Sequence, residues 1–335
     1  MKEGNTWAGD LPAWMQEVAP GIYCIDCDYV QPRLACAYIV LSHGQVAFVE
    51  TNTSLAVPRL LEGLSLLGLA NEDVQYIIPT HVHLDHAGGA GALLQACSQA
   101  TVLAHPKAAR HLINPIRLIQ SSREVYGEEL FANLYGEIVP CEEDRVRIME
   151  DEEILDFGQR RFRFLHTRGH ANHHFCIFEE TSNGLFSGDS FGIAYPDLQE
   201  NRRFIFASST PTDFDPDAAH ETVDRLVRTG ADRIYLTHFG RLDLVKEAAQ
   251  DLHSSLDFLS GLLAEAVQNG TQSDTDLAGQ SMEDELQRRI LNSWLDELEK
   301  QGKKDRSRLA ERLKMDAALN AGGLMVAAQK ALKSR

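Results

Sequence analysis

Basic residues are scarce in this chain compared with acidic ones. The 335 residues include 32 Lys and Arg but 49 Asp and Glu, so the formal net charge is −17. Nucleic acids and anionic membrane surfaces bind proteins through clustered positive charge. The charge balance therefore argues against a nucleic-acid partner and against a membrane partner.

Long apolar runs are also missing. No apolar stretch reaches the ~20 residues that span a bilayer. The first residues, 1–5, are polar, and a secretion signal is not evident there. We therefore expect a cytoplasmic protein, and whether it forms a homodimer stays open.

Cysteine is infrequent and scattered, with six residues at positions 24, 27, 36, 97, 141 and 176. Cys24 and Cys27 form one CxxC pair, but a structural zinc site of this kind needs four ligands and no second pair accompanies it. Most of the cysteines lie in apolar segments. We expect them to be reduced thiols in the core.

The hydrophobic pattern alternates between strands and helices in the first two thirds of the chain. Apolar runs at 22–25, 35–41 and 46–49 predict strands, whereas 57–68 has helical spacing. Such alternation is typical of a layered α/β fold. A mainly helical insert is expected at 107–140. Later in the chain the pattern becomes helical, at 242–267, 281–300 and 304–333, with a polar break at 269–275.

The segment 80–89, Thr-His-Val-His-Leu-Asp-His-Ala-Gly-Gly, is the densest group of metal-binding side chains. It follows an apolar run at 76–78. On an extended segment His81 and His83 face the same side, because side chains repeat every two residues. Asp85 and His86 then lie where a helix begins. Imidazole and carboxylate groups are ligands of Zn²⁺ and similar ions, so this segment predicts a metal site.

This segment resembles the first motif of the metallo-β-lactamase superfamily, His-x-His-x-Asp-His after a strand. Three later segments resemble the remaining family motifs in the expected order: Gly169-His170 with His174, Gly188-Asp189 and Thr237-His238. The resemblance covers residues 15–250. Within the superfamily, the chain is similar to the glyoxalase II-like branch. It implies an α/β (α+β) fold, the αββα metallo-β-lactamase sandwich. We expect this metal-binding domain over residues 1–250 and a C-terminal helical extension over 251–335.

By resemblance, the family's metal-ligand positions are all filled in this chain. His81, His83 and His170 would bind one ion, and Asp85, His86 and His238 a second, with Asp189 bridging the two. The cofactors implied are two divalent metal ions, with zinc favoured and iron or manganese also compatible with such ligands. Asp85 is in addition the expected catalytic residue, because it could orient the attacking hydroxide or pass its proton to the leaving group.

Other residues are assigned lesser roles. His174 is expected to support the ligands, and Tyr195 is a candidate for contact with the substrate carbonyl. Glu50 stands where the family commonly has an aspartate, which changes the reach of the carboxylate. The histidines at 105, 111, 166, 173 and 220 are expected to be structural or to lie at the surface.

The resemblance implies a metal-dependent hydrolase that cleaves an ester, thioester or lactone with a metal-bridging hydroxide. Zinc β-lactamases generally have a cysteine where Asp189 stands, so that activity is disfavoured. Two alternatives remain open. One is a single-iron persulfide dioxygenase, and the other is a regulatory or ligand-binding protein of the same fold with residual hydrolase activity.

Overall fold

The computed structural model describes residues 11–209, 213–269 and 281–333. Contacts divide these residues into two compact units. The first unit comprises the described residues up to 166 together with 173–188 and 229–243. The second comprises 167–172, the described part of 189–228, and the described residues from 244 onward. Residues 270–275 of the expected polar break lie outside the described residues.

In the first unit the strands form two mixed sheets. The first sheet has its strands in sequence order: β1 (Met15–Ala19), β2 (Ile22–Asp26), β3 (Cys36–Ser42), β4 (Gln45–Val49), β5 (Val74–Ile78), β6 (Thr101–Ala104) and β7 (Val146–Ile148). Neighbours are antiparallel from β1 to β4 and parallel from β4 to β7.

The second sheet contains β8 (Ile154–Phe157), β9 (Arg160–Thr167), β10 (His174–Glu179), β11 (Gly184–Gly188), β12 (Arg233–Leu236) and β13 (Gly240–Asp243), in the order β13-β12-β11-β10-β9-β8. β11 and β12 are parallel, whereas β12 and β13 are antiparallel. The predicted helix from 242 therefore begins later than expected, because Leu242 and Asp243 pair with β12.

The two sheets pack face to face through an aromatic core. Its members include Tyr38 from β3 and, from the second sheet, Phe157, Phe162, Phe164, Phe175, Phe186 and Tyr235. β9 shows why the alternation in the sequence produces this arrangement. Phe162 and Phe164 are fully buried, while the side chain of Arg161, on the opposite face of the strand, is exposed.

Helices of the first unit cover the other face of the first sheet. They are α1 (Val57–Leu66), the single-turn α2 (Leu84–Ala87), α3 (Ala90–Ala96), α4 (Pro106–Ile113), α5 (Ile116–Tyr126) and α6 (Glu128–Tyr135). Leu60 and Leu64 of α1 and Leu93 of α3 belong to the core on this face. The insert at 107–140 is helical, as the sequence predicted.

The second unit is helical apart from its connecting segments. It contains α7 (Pro216–Arg228), α8 (Val245–Asn269), α9 (Met282–Lys300) and α10 (Arg306–Lys333). Leu256, Leu259 and Leu262 of α8 are buried, as expected from their spacing. The predicted fold class, an α/β sandwich with C-terminal helices, is confirmed. The division at residues 250 and 251 stays a prediction, and α8 runs through that position.

No helix in the described part of the chain is both long enough and apolar enough to cross a membrane.

Candidate metal centre

Residues 80–89, which we call the ligand segment, begin just after the end of β5. His81 is fully buried, and its Nε2 lies 2.7 Å from Nδ1 of His83. The two rings thus point to the same side, as the two-residue spacing predicted. His83 precedes the single turn α2, and its carbonyl accepts hydrogen bonds from the backbone N–H groups of His86 and Ala87. This turn brings Asp85 and His86 to the same end of β5.

Asp85, His86 and His238 form a group with donor atoms close enough for one metal ion. Oδ2 of Asp85 lies 3.7 Å from Nε2 of His86 and 3.4 Å from Nε2 of His238. Both imidazoles are buried, whereas the Asp85 side chain is 26 % exposed. Two imidazoles and a carboxylate are donors that Zn²⁺, Fe²⁺ and Mn²⁺ accept, so the residues present fit a divalent ion.

Glu50 orients this group through hydrogen bonds. Its Oε1 lies 3.0 Å from Nδ1 of His86, and the same oxygen accepts hydrogen bonds from the hydroxyl groups of Thr80 and Thr237. The second oxygen, Oε2, accepts the backbone N–H of Thr80 at 3.1 Å. Glu50 also lies within ligand distance of His81 and His86. Because its oxygens already accept these bonds, we assign Glu50 to holding His86 rather than to binding the ion.

The chain after Glu50 binds the backbone of α2. Thr51 donates from both its N–H and its hydroxyl to the carbonyl of His86, at 2.9 and 2.8 Å. The amide of Asn52 donates to the carbonyl of Asp85 at 3.0 Å. Glu50 and Asn52 both have left-handed backbone conformations, with φ of 65° and 52°. Such strain is often found where a structure holds functional groups in place.

Two glycines permit this close packing. A Cβ on Gly89 would lie 2.8 Å from the carbonyl oxygen of Thr53 and 2.9 Å from that of Thr51. A Cβ on Gly91 would lie 1.9 Å from the carbonyl oxygen of Val139, which follows α6 near the end of the insert. These distances are too short for any other residue, so glycine is required at each position.

The insert packs against the ligand segment. Leu84, between His83 and Asp85, forms a small apolar cluster with Phe131 and Tyr135 of α6. The aromatic residues are buried, so α6 is anchored at this place. The insert thus contacts the ligand segment directly.

His238 lies just after the end of β12. Its Nδ1 donates to the carbonyl of Leu34 at 2.8 Å. This bond directs Nε2 toward Asp85. Thr237 and Thr80 each precede a predicted ligand histidine, and both donate to Glu50. These threonines were not singled out from the sequence, although the repeated Thr-His pair was a signal that could have found them.

His174 lies beside the ligand segment, as its expected supporting role requires. Its ring stacks on that of His81, with centroids 4.8 Å apart, and it is fully buried. His173 was expected to be structural or to lie at the surface, but its ring centroid lies 6.0 Å from that of His81 and 5.4 Å from that of His83. His173 therefore belongs to the surroundings of the candidate centre.

His170 and Asp189, the remaining predicted ligands, belong to the second unit. Nε2 of His170 lies 3.5 Å from Oδ2 of Asp189, and both side chains are buried. On its other edge, Nδ1 of His170 lies 3.3 Å from the carbonyl oxygen of Ser208. A small cavity of about 10 Å³, room for roughly one water molecule, adjoins this pair. Its wall includes Ser190, Leu252 and Leu256.

Tyr195 lies in the interior of the second unit. It is 2 % exposed, and its hydroxyl donates to Oδ1 of Asp316 at 2.9 Å. The guanidinium of Arg312 lies over the ring, 4.0 Å from its centroid. Burial and the neighbouring Asp316 carboxylate raise the pKa of Tyr195 well above its usual value. Its role in substrate contact stays a prediction.

Other histidines have structural contacts. His105 caps α4 by accepting the N–H of Lys107, and burial, followed by the neighbouring His166, lowers the pKa of His105 to about 3. His166 lies 2.9 Å from the carbonyl oxygen of Met149. Nδ1 of His220 in α7 lies 2.6 Å from Nδ1 of His253 in α8, which joins those two helices.

Comparison with protein families identifies the chain. The model of the metallo-beta-lactamase superfamily matches residues 32–238, which include each of the predicted metal ligands. The chain belongs to this superfamily. The resemblance drawn from the four motifs is thereby confirmed.

Two relatives match part of the chain in sequence. The metallo-beta-lactamase fold-containing protein ST1585 of Sulfurisphaera tokodaii is 28 % identical over 180 residues, which is 52 % of this chain and 64 % of that protein. An N-acyl homoserine lactonase of a Bacillus species is 29 % identical over 177 residues, 51 % of this chain and 60 % of the lactonase. The chain thus spans less than two thirds of the length of either relative.

A solved structure supports the fold over a longer region. The metallo-beta-lactamase family protein TTHA1429 of Thermus thermophilus superposes with a TM-score of 0.62 at 23 % identity. The match covers 94 % of this chain and 95 % of that protein.

Proposed function

We propose that the protein is a hydrolase that depends on two divalent metal ions and cleaves an ester, thioester or lactone. The observation that carries this proposal is the position of Asp85, whose carboxylate lies between Nε2 of His86 and Nε2 of His238. The Bacillus relative is named as a lactonase, which supports the choice of substrate class.

The proposed ligands are those given by the family motifs: His81, His83 and His170 for one ion, Asp85, His86 and His238 for the other, and Asp189 for both. Zinc is the proposed metal, and iron or manganese would suit the same donors. When bound, a pair of divalent ions lowers the pKa of water toward neutrality and polarises the substrate oxygen.

In this proposal Asp85 also transfers a proton from the attacking water to the leaving group. Its side chain is partly exposed, while the histidines beside it are buried, so it can reach both water and substrate. We propose that it accepts the proton of the attacking water and delivers it to the leaving group. Glu50 and the threonines beside it keep His86 in a fixed orientation during this exchange.

The substrate is proposed to be a small molecule rather than a nucleic acid or a membrane surface, because the chain carries a net charge of −17. A cytoplasmic location belongs to the same proposal, and whether the protein forms a homodimer stays open.

The test is elemental analysis of the purified protein, followed by a screen of ester, thioester, lactone and phosphodiester substrates. Two metal ions per chain and turnover of one of the first three classes are expected. A single iron per chain, with oxygen uptake on a persulfide, would instead indicate the dioxygenase. Two ions without turnover of any substrate class would favour a regulatory protein.

A further inference from the structure

A backbone carbonyl fixes the orientation of His170. A carbonyl oxygen only accepts hydrogen bonds, so at 3.3 Å from the carbonyl oxygen of Ser208 the Nδ1 of His170 must carry the proton. In the neutral imidazole, Nε2 on the side of Asp189 is then the nitrogen with a lone pair. A histidine that binds a metal through one nitrogen commonly donates the other N–H to such an acceptor. The position of the Ser208 carbonyl therefore determines where His170 can bind.

The residue after Ser208 is held by the last helix. The N–H of Ser209 donates to Oδ1 of Asn320 in α10 at 2.7 Å. The hydroxyl of Ser209 lies 2.7 Å from the same oxygen and 2.9 Å from the Asn320 carbonyl. Ser209 is 2 % exposed and Asn320 is 3 % exposed. Water therefore does not replace these bonds easily.

Asn320 is itself fixed in place. Its amide donates to the carbonyl of Asp316, one turn earlier in α10, at 3.0 Å. The carboxylate of Asp316 accepts the hydroxyl of Tyr195 at 2.9 Å. Because Tyr195 begins the segment that leads to Ser208, α10 holds this segment near both of its ends.

The residue before Ser208 is held from another helix. The N–H of Ala207 donates to the hydroxyl of Ser255 in α8 at 3.0 Å. Residues 207 and 209 are thus bound to two different helices, and the Ser208 carbonyl lies between these two attachments.

We infer that Asn320 is a positioning residue for the metal centre, acting on His170 through Ser209 and the Ser208 carbonyl. This inference rests on the proposed function, in which His170 is a metal ligand. It assigns to α10 a task besides packing: the helix sets the direction in which one ligand presents its nitrogen. Residues that orient metal ligands typically change metal affinity by about 10- to 100-fold when they are removed.

The experiment measures zinc affinity in the full-length protein after its metals have been stripped by a chelator. Competition with a chromophoric chelator gives the zinc dissociation constant. The visible absorption of the cobalt(II)-loaded protein reports the ligand geometry. For Asn320→Ala we expect zinc binding about 10- to 100-fold weaker than in the wild type and an altered cobalt spectrum.

Leu324→Ala is the matched control, because Leu324 lies one turn further along α10 and is fully buried. It should lower the melting temperature at least as much as Asn320→Ala does, while zinc affinity and the cobalt spectrum stay unchanged. Equal weakening in both variants would overturn the inference, because α10 would then act only through stability. Unchanged zinc binding in Asn320→Ala would overturn it as well.

His170→Ala separates this inference from the proposed function. If His170→Ala weakens zinc binding and Asn320→Ala does not, only the positioning role is wrong. If the wild type binds no zinc, or His170→Ala binds it as well as the wild type does, the ligand assignment is wrong and the positioning role fails with it.

Ser209→Ala provides the test if Asn320→Ala does not fold. This variant removes only the hydroxyl and keeps the bond from the Ser209 N–H to Asn320. A smaller loss of zinc affinity with a shifted cobalt spectrum would support the inference. An affinity and a spectrum identical to those of the wild type would contradict it.

Discussion

Oε1 of Glu50 lies 3.0 Å from Nδ1 of His86, although 36 residues separate them in the chain. The carboxylate is 1 % exposed and also binds the hydroxyl groups of Thr80 and Thr237. One side chain thus contacts a predicted ligand and the two residues that precede other ligands. The longer glutamate, in place of the family's aspartate, makes these contacts within the described structure.

Replacing this carboxylate should loosen the metal site. In Glu50→Gln the amide nitrogen would face a donor, either the N–H of Thr80 or the Nδ1–H of His86, so one bond must be lost. We expect metal affinity to fall by about 10- to 100-fold, and to fall less in Glu50→Asp because that variant keeps the charge. Metal content after dialysis against a chelator measures this. Full retention of metal by Glu50→Gln would show that Glu50 does not orient the site.

Replacing Asp189 should be more damaging than replacing His174. As a proposed ligand of both ions, Asp189 is expected to be essential, so Asp189→Ala should lose metal and all turnover. His174 stacks on His81 without a proposed metal bond, and His174→Ala should reduce turnover by about 10- to 100-fold. Metal analysis and hydrolysis rates of the two variants check this order. Equal losses would place His174 among the ligands.

The free energy of unfolding should decrease as the pH is lowered, partly because of His105. Its pKa in the folded protein is about 3, lowered mainly by burial, whereas an unfolded histidine titrates near 6.5. Below pH 6.5 the unfolded chain therefore binds a proton that the folded protein does not. The contribution is fully present above pH 6.5 and is lost as the pH falls toward 3.

His105→Asn removes this titration and keeps a side chain that can cap α4. We expect the unfolding free energy of the variant to fall less steeply between pH 6.5 and 4, by up to about 1 kcal/mol per pH unit. Urea unfolding at several pH values measures the difference. Parallel curves for the variant and the wild type would mean that His105 is not held neutral.

A buried ion pair offers a test of the sandwich itself. Nη1 of Arg160 lies 3.1 Å from Oε2 of Glu179, with side chains 8 % and 0 % exposed. Glu179→Ala would leave the guanidinium buried without its carboxylate partner, and we expect a loss of about 3–5 kcal/mol in unfolding free energy.

Glu180→Ala is the control for that experiment, since Glu180 is the next residue and pairs with Arg161 at the surface. It should change the unfolding free energy by less than about 0.5 kcal/mol. Urea unfolding of both variants gives the comparison. A cost for Glu179→Ala as small as the control's would show that the carbonyl oxygens of Leu41 and Pro20, which already accept from Arg160, suffice for its guanidinium.

The sequence predicted the parts of the site that depend on local spacing. His81 and His83 share one side of an extended segment, and Asp85 and His86 lie in the turn that follows, so a short stretch sufficed to find them. The alternation of arginine and phenylalanine along β9 likewise agrees with the burial of Phe162 and Phe164. Each of these features follows from the geometry of a single element.

The remaining features depend on contacts between distant segments. Glu50 reaches His86 only after β4 and β5 have paired, and Asn320 binds Ser209 from 111 residues away. Leu242 has helical spacing but joins β13, because pairing with β12 outweighs its local preference. The hydrophobic periodicity of a single segment therefore could not predict these contacts.

Gly188 limits how this protein could be redesigned. Its backbone is left-handed, with φ of 49°, and a Cβ there would lie 2.4 Å from both Nε2 of His174 and Oγ1 of Thr80. A library that randomises residues around the centre to change substrate preference should therefore return only glycine at 188. At Gly230, by contrast, a Cβ would meet nothing within 4 Å, and only the backbone conformation restricts replacement. Any side chain introduced at residue 188 would displace His174 or Thr80 from its place beside the ligand segment.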